Sequence, residues 1–220
     1  MIKELAQSYA DEFHRLQWEL FPEDKMQTGR VIQITASRFS EGVTTTTLAL
    51  AATIAASPQR EQGVIVVEAN LRDPSVQRFL SFESGGSLAR VMGHGDDVWP
   101  HIQTVEALGV AVLPAGSVAD AVPSGGEVET AFNNIGRTLE KLRGRYRYIL
   151  VDTPPVIPFR DSNVIATMTD GILFVVEAEV TRSQVVDFSL KKLSAVQGKI
   201  LGLVLNKRQF HIPQWLYRYL

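Results

Sequence analysis

Cysteine is absent from the sequence, which excludes disulfides, thiolate metal sites and a cysteine nucleophile. Long apolar runs are absent too. The longest candidates, Val64 to Val67 and Gly171 to Val176, fall well short of the roughly 18 residues that span a bilayer. The first residues, Met1-Ile2-Lys3-Glu4-Leu5, carry an early acid and no apolar stretch, so no secretory signal is expected. An excess of either charge is lacking as well: 22 basic against 24 acidic residues leave a formal net charge of −2, which argues against nucleic acid as a partner, because neutralising phosphates needs a basic face. His14, His94, His101 and His211 show no metal-ligand spacing, and neither a Ser-His-Asp order nor a G-x-S-x-G pattern occurs. Hydrolase chemistry is therefore not expected. These absences point to a cytoplasmic protein that reaches a membrane through a partner or through its tail.

What is present fits one α/β domain. The 220 residues are 45% apolar and 21% charged, enough to bury a full core. Ile2, Leu5, Tyr9, Phe13, Leu16 and Leu20 recur at helical spacing and Pro22 closes the segment, which predicts one helix over 2–20, an N-terminal arm (residues 1–27) ahead of the alternating core. The arm either packs on its own domain or docks on a neighbouring subunit. Strands are predicted at Val31–Thr35, Val64–Val67, Val110–Leu113, Tyr148–Asp152, Ile172–Val176 and Ile200–Leu205, with helices over Thr44–Ala56, from a Ser124-Gly125-Gly126-Glu127 capping box onward, and over Ser183–Ser194. Residues 74–108 read as irregular with short helical pieces. Strands that are continuously apolar and alternate with helices imply a mostly parallel sheet covered on both faces. The loops 36–44, 68–75, 152–161 and 206–211 should then meet beyond the carboxyl ends of the strands, where ligands bind in such sheets.

The first of these loops is the most informative. Ile32-Gln33-Ile34-Thr35 leads through Ala36-Ser37-Arg38-Phe39-Ser40-Glu41 to Gly42-Val43-Thr44-Thr45 and an alanine-rich helix. A phosphate-binding loop, G-x-x-x-x-G-K-[ST], has that outline, with backbone N–H groups around the phosphates and a lysine reaching them. Gly42 and Thr44 stand at the second glycine and the Mg²⁺-binding hydroxyl, while Val43 stands where the lysine belongs. Asp152 closes an apolar strand, as the Mg²⁺-holding aspartate of such proteins does.

With these motifs in order, the chain resembles the bacterial tyrosine kinase (BY-kinase) family, cytoplasmic P-loop proteins that work with polysaccharide co-polymerases in capsule and exopolysaccharide assembly. The resemblance rests on Gly42-Val43-Thr44-Thr45, on Glu68-Ala69-Asn70-Leu71-Arg72-Asp73-Pro74 for the family's D-x-D-x-R-x-P, and on Asp152-Thr153-Pro154-Pro155 for its D-T-P-P. Leu113-Pro114-Ala115-Gly116, Asp170-Gly171 and Leu203-Val204-Leu205-Asn206-Lys207 match as well. It implies a P-loop NTPase-like fold, nucleotide contacts from Arg38, Gly42, Val43, Thr44, Thr45 and Asn206, and Mg²⁺ at Thr44 and Asp152. It also places the two aspartates of the second motif at Glu68 and Asn70. Arg38 falls where related partitioning and division-site ATPases keep a signature lysine. Glu12 and Arg15 match the arm motif E-x-x-R-x-x-R that forms rings in the family, with Trp18 in place of the second arginine. Tyr217 and Tyr219, in the tail 207–220, are the counterparts of its tyrosine-rich phospho-acceptor segment.

Val43, Glu68 and Asn70 together remove a cation and alter two carboxylates, which strikes at charge stabilisation, the main term in phosphoryl transfer. The expectation is a catalytically degenerate, pseudokinase-like protein, with weak ATP or ADP binding with Mg²⁺ left open and no cofactor required. It would act as a regulatory or scaffolding partner of a membrane chain-length-determinant protein, recruited to the inner face of the plasma membrane. An active tyrosine autokinase of the same pathway and a positioning-type ATPase are the alternatives.

Overall fold

The computed structural model describes residues 1–22, 28–57, 63–80, 87–121 and 128–208. Two helices, α1 (Ile2–Ser8) and α2 (Ala10–Leu20), precede strand β1 (Arg30–Ala36) and helix α3 (Val43–Ala56). Strand β2 (Val64–Glu68) is followed by α4 (Val76–Phe79), α5 (Leu88–His94) and the hairpin β3 (Gln103–Val105) and β4 (Val110–Leu113). The remainder runs α6 (Val118–Ala121), α7 (Val128–Arg143), β5 (Tyr148–Asp152), α8 (Asp161–Ala166), β6 (Gly171–Glu177), α9 (Ser183–Ala195) and β7 (Ile200–Asn206). No helix among the described residues is long and apolar enough to cross a membrane.

The strands form one seven-stranded sheet in the order β3-β4-β2-β5-β1-β6-β7. All pairings are parallel except that of β3 with β4. Alternate side chains of the central strands feed two cores. Ile32, Ile34, Val64, Val66 and Leu150 pack under α3, while Val31, Ile65, Val67, Ile149 and Val151 pack under α5 and α7. A satellite core joins Phe174 and Val176 of β6 to Val186 and Leu193 of α9. Strands buried on both faces need apolar residues at successive positions, which is why their runs were readable as continuous rather than alternating.

One expectation is corrected and another is extended. The predicted helix over 2–20 is broken at Tyr9 (φ −121°, ψ 35°), which ends α1 and starts α2. Both halves lie on α3, with Ile2, Ala6, Phe13 and Leu20 buried in the core beneath, so the apolar stripe of the arm is satisfied within its own chain. Residues 74–108 hold the short helical pieces that were expected, α4 and α5, and in addition the short antiparallel edge strand β3, whose three residues are too few to show a period. The Ser124–Glu127 capping box and the tail residues Tyr217 and Tyr219 lie outside the described residues.

Candidate active site

Four loops converge at the carboxyl ends of the central strands, as expected. They enclose a cleft of about 280 Å³ lined by Arg38, Gly42, Val43, Thr44 and Thr45 of the first loop, by Asn70, Asp73 and Ser75 of the second, by Thr153 and Pro155, and by Lys207. The 152–161 segment is pinned to β1 by buried polar contacts. Gln33 Nε2 donates to Thr153 Oγ1 and to the Ser162 carbonyl, both at 3.0 Å, and Thr35 donates to the Pro154 carbonyl at 3.0 Å. A glutamine and a threonine on the buried strand β1 thus hold the segment that follows Asp152.

The phosphate loop itself is closed from within. Glu41 is buried, and its carboxylate accepts the N–H groups of Ser37 (2.8 Å) and Arg38 (3.1 Å) and the hydroxyl of Thr181. Asn206 donates to the Glu41 carbonyl at 2.9 Å. Gly42 sits at φ +96°, and a Cβ there would come 2.0 Å from the Asn206 amide nitrogen, so both the backbone conformation and the neighbour demand glycine. Val43 is half-buried against the core. Lys207 donates to the Ser40 carbonyl (2.6 Å) and pairs with Glu177 (3.1 Å).

Behind the loop, Thr44 Oγ1 donates to Asp152 Oδ2 at 2.7 Å and lies 2.7 Å from Ser75 Oγ. Asp152 is fully buried, which pushes its pKa up to about 7; the Thr44 hydrogen bond opposes this, and the charges of Glu68 and Asp73 add to it. Its Oδ1 is buried and accepts no hydrogen bond among the described residues. That orphaned oxygen beside the Thr44 hydroxyl fits a divalent cation, so Thr44 and Asp152 would hold Mg²⁺, which would neutralise charge on a nucleotide's phosphates. Among the described residues no group of three His, Cys, Asp or Glu side chains adds to them.

Glu68 and Asn70 do not complete that site. Glu68 Oε1 accepts the N–H groups of Ser75 (2.6 Å) and Val76 (2.7 Å), and Oε2 accepts that of Ala115 (3.0 Å). Burial raises its pKa, and those three backbone hydrogen bonds oppose the rise. Asn70 Oδ1 accepts the Asp73 N–H at 3.2 Å. Arg72 pairs with Asp161 (3.1 Å) and stacks on Phe159, which meets Phe39 edge-on.

Glu41, Ser75 and Arg78 were not singled out in the sequence. An acid directly before the loop glycine was a readable signal for Glu41, whereas nothing in the spacing marked Ser75 or Arg78. Arg78 lines the cleft and pairs with Asp73. Glu12, Arg15 and Trp18 lie exposed on α2, away from the cleft.

Comparison with known proteins places these features in a lineage. No family model matches the chain. The succinoglycan biosynthesis transport protein ExoP of Rhizobium meliloti is 30% identical over 188 residues, 84% of this chain but 23% of that protein. The tyrosine-protein kinase CpsD of Streptococcus agalactiae is 25% identical over 181 residues, 81% of this chain and 75% of that one. The chain is a homologue of bacterial tyrosine-protein kinases. The crystal structure of the VpsO kinase domain shares the fold of this BY-kinase homologue, with 24% identity, a TM-score of 0.78 and coverage of 94% of this chain and 98% of that one. The sheet order and the loop before α3 are those of a P-loop NTPase-like domain.

Proposed function

We propose that this BY-kinase homologue is catalytically silent and serves as a regulatory or scaffolding partner in exopolysaccharide or capsule assembly. The observation that carries the reading is the state of the phosphate loop. Val43, half-buried against the core and lining the cleft, stands where a cation would reach the phosphates, and the Glu41 carboxylate takes the N–H groups of Ser37 and Arg38 in the loop. The names of its relatives, a succinoglycan transport protein and a tyrosine-protein kinase, support the pathway. The partner is then a membrane chain-length-determinant protein that recruits the chain to the inner face of the plasma membrane.

Calorimetry of ATP and ADP with Mg²⁺ tests the reading. The wild-type chain is expected to bind weakly or not at all and to show no turnover. Val43→Lys should raise affinity by at least about tenfold, the effect of roughly 1.4 kcal/mol from one charge-assisted phosphate contact. Tight, Mg²⁺-dependent binding with turnover in the wild type, lost in Asp152→Ala, would sink it. One observation favours the second reading, an active tyrosine autokinase: Thr44 and Asp152 stay together, and Arg38, Arg78 and Lys207 line the cleft. Phosphate transfer from ATP to Tyr217 or Tyr219 in the purified chain would establish it.

A further inference from the structure

Ser75 is a helix cap that does not cap. It precedes α4, yet its side chain makes no cap hydrogen bond, although a serine at that position ordinarily accepts an N–H of the first turn. Glu68 has taken over that duty, with Oε1 accepting the N–H groups of both Ser75 (2.6 Å) and Val76 (2.7 Å). The carboxylate fixes the Ser75 backbone and leaves its hydroxyl for another partner. That partner is Thr44 of the phosphate loop, whose Oγ1 lies 2.7 Å from Ser75 Oγ. The Thr44 hydroxyl has a single proton, and it goes to Asp152 Oδ2. Ser75 is then the donor to Thr44, and a hydroxyl that donates keeps its lone pairs. Ser75 is half-buried and lines the cleft, so those lone pairs are open to a ligand there.

The neighbouring acids of the second loop do not compete for this place. Glu68 is committed to three backbone N–H groups, Asp73 pairs with Arg78, and Asn70 carries no charge and closes a turn onto Asp73. What gathers beside the phosphate loop is one buried carboxylate, its Oδ1 unpartnered among the described residues, and two hydroxyls. All are oxygen donors, the kind that hard divalent cations take. Mg²⁺ holds its ligands at roughly 2.1 Å in an octahedron, which sets adjacent oxygens about 2.9 Å apart. Thr44 Oγ1 and Ser75 Oγ, at 2.7 Å, stand close to that spacing. We propose that Ser75 supplies the third protein oxygen of the cation site, beside Thr44 and Asp152, for a hard divalent cation of the size of Mg²⁺. The carboxylate that the family resemblance would place at position 70 is thereby replaced from later in the same loop, by a neutral group. The assignment rests on Thr44 and Asp152 being a cation site and is independent of whether nucleotide is turned over.

Mn²⁺ takes the same oxygen donors and is visible by electron paramagnetic resonance, so it is the probe, titrated into the full chain without nucleotide. The wild type should bind it saturably, with Mg²⁺ competing. Asp152→Ala should abolish that binding, and Ser75→Ala should weaken it by at least about tenfold, the low end of what losing a partner at a metal site costs. Ser75→Thr keeps the hydroxyl and should bind like the wild type. Alanine at position 75 retains the N–H that Glu68 accepts, so the contact between β2 and α4 survives in Ser75→Ala. Water-proton relaxation adds a readout that a packing defect would not move, because Mn²⁺ bound to Ser75→Ala should carry an extra exchangeable water. Equal affinity in Ser75→Ala, or an unchanged water count, would overturn the proposal. Tighter binding in that variant would overturn it in favour of a latch, with Ser75 occupying the Thr44 oxygen that the cation needs. Binding that survives Asp152→Ala would put Mn²⁺ elsewhere and remove the cation site itself, as would the lack of saturable binding in the wild type.

Discussion

Asp152 shows how a buried carboxyl weighs on the fold. With its carboxyl fully buried and held up to about pH 7 against an ordinary value of 3.8, the native state keeps a proton that the unfolded chain releases at lower pH. The sign follows from proton counting: between the two values the folded state binds more protons, so stability falls as pH rises through this window and the loss is complete above it. Each pH unit of the window corresponds to about 1.4 kcal/mol as an upper bound. Asp152→Asn removes the titration while keeping an acceptor for Thr44. Its melting temperature relative to wild type should therefore rise between pH 5 and pH 8 in metal-free buffer. A constant difference across that range would show that Asp152 is not the group that titrates. Excess Mg²⁺ should narrow the gap at pH 8, because a cation at Oδ1 stabilises the ionised wild-type carboxylate.

At the scale of elements, Glu68 is a bracket. It ends β2 and holds the start of α4 and the segment after β4 through the Ser75, Val76 and Ala115 N–H groups. Glu68→Ala leaves those donors without their acceptor and is expected to cost roughly 3 kcal/mol, at about 1–3 kcal/mol for each buried group left unpaired and with water recovering part of it. Chemical denaturation measures this, and in the Val43→Lys background, where nucleotide affinity is expected to be gained, Glu68→Ala should lower it far less than Asp152→Ala does. Loss of affinity without loss of stability would return Glu68 to the site. The contrast shows what was legible in the sequence. Every central strand was readable, because burial on both faces writes itself as an unbroken apolar run, and so was the meeting of four loops at their carboxyl ends. The direction of a side chain was not. The family resemblance assigned Glu68 and Asn70 to the places of two aspartates, whereas in the structure Glu68 turns to backbone amides and Asn70 closes a local turn onto the Asp73 N–H. The kink at Tyr9 and strand β3 were hidden for another reason: a helical stripe is continuous across a single broken turn, and three residues carry no period.

On the scale of the whole molecule, the N-terminal helices serve the fold first. Ile2, Ala6, Phe13 and Leu20 close the core over α3, so deleting the arm would uncover that helix and confuse a loss of assembly with a loss of folding. Point substitutions separate the two. Glu12, Arg15 and the 63% exposed Trp18 stand on the outer side of α2, where nothing in the chain's own core depends on them. If the arm also joins subunits, charge reversal at both Glu12 and Arg15 should lower the mass found by light scattering while moving the melting temperature by no more than the shift of about 0.5 kcal/mol usual for surface changes. On the same premise Trp18→Arg, which completes the E-x-x-R-x-x-R pattern that the resemblance implies, should act in the opposite direction and strengthen association. An unchanged mass in both variants would confine the arm to its intramolecular role and leave assembly to another face of the molecule.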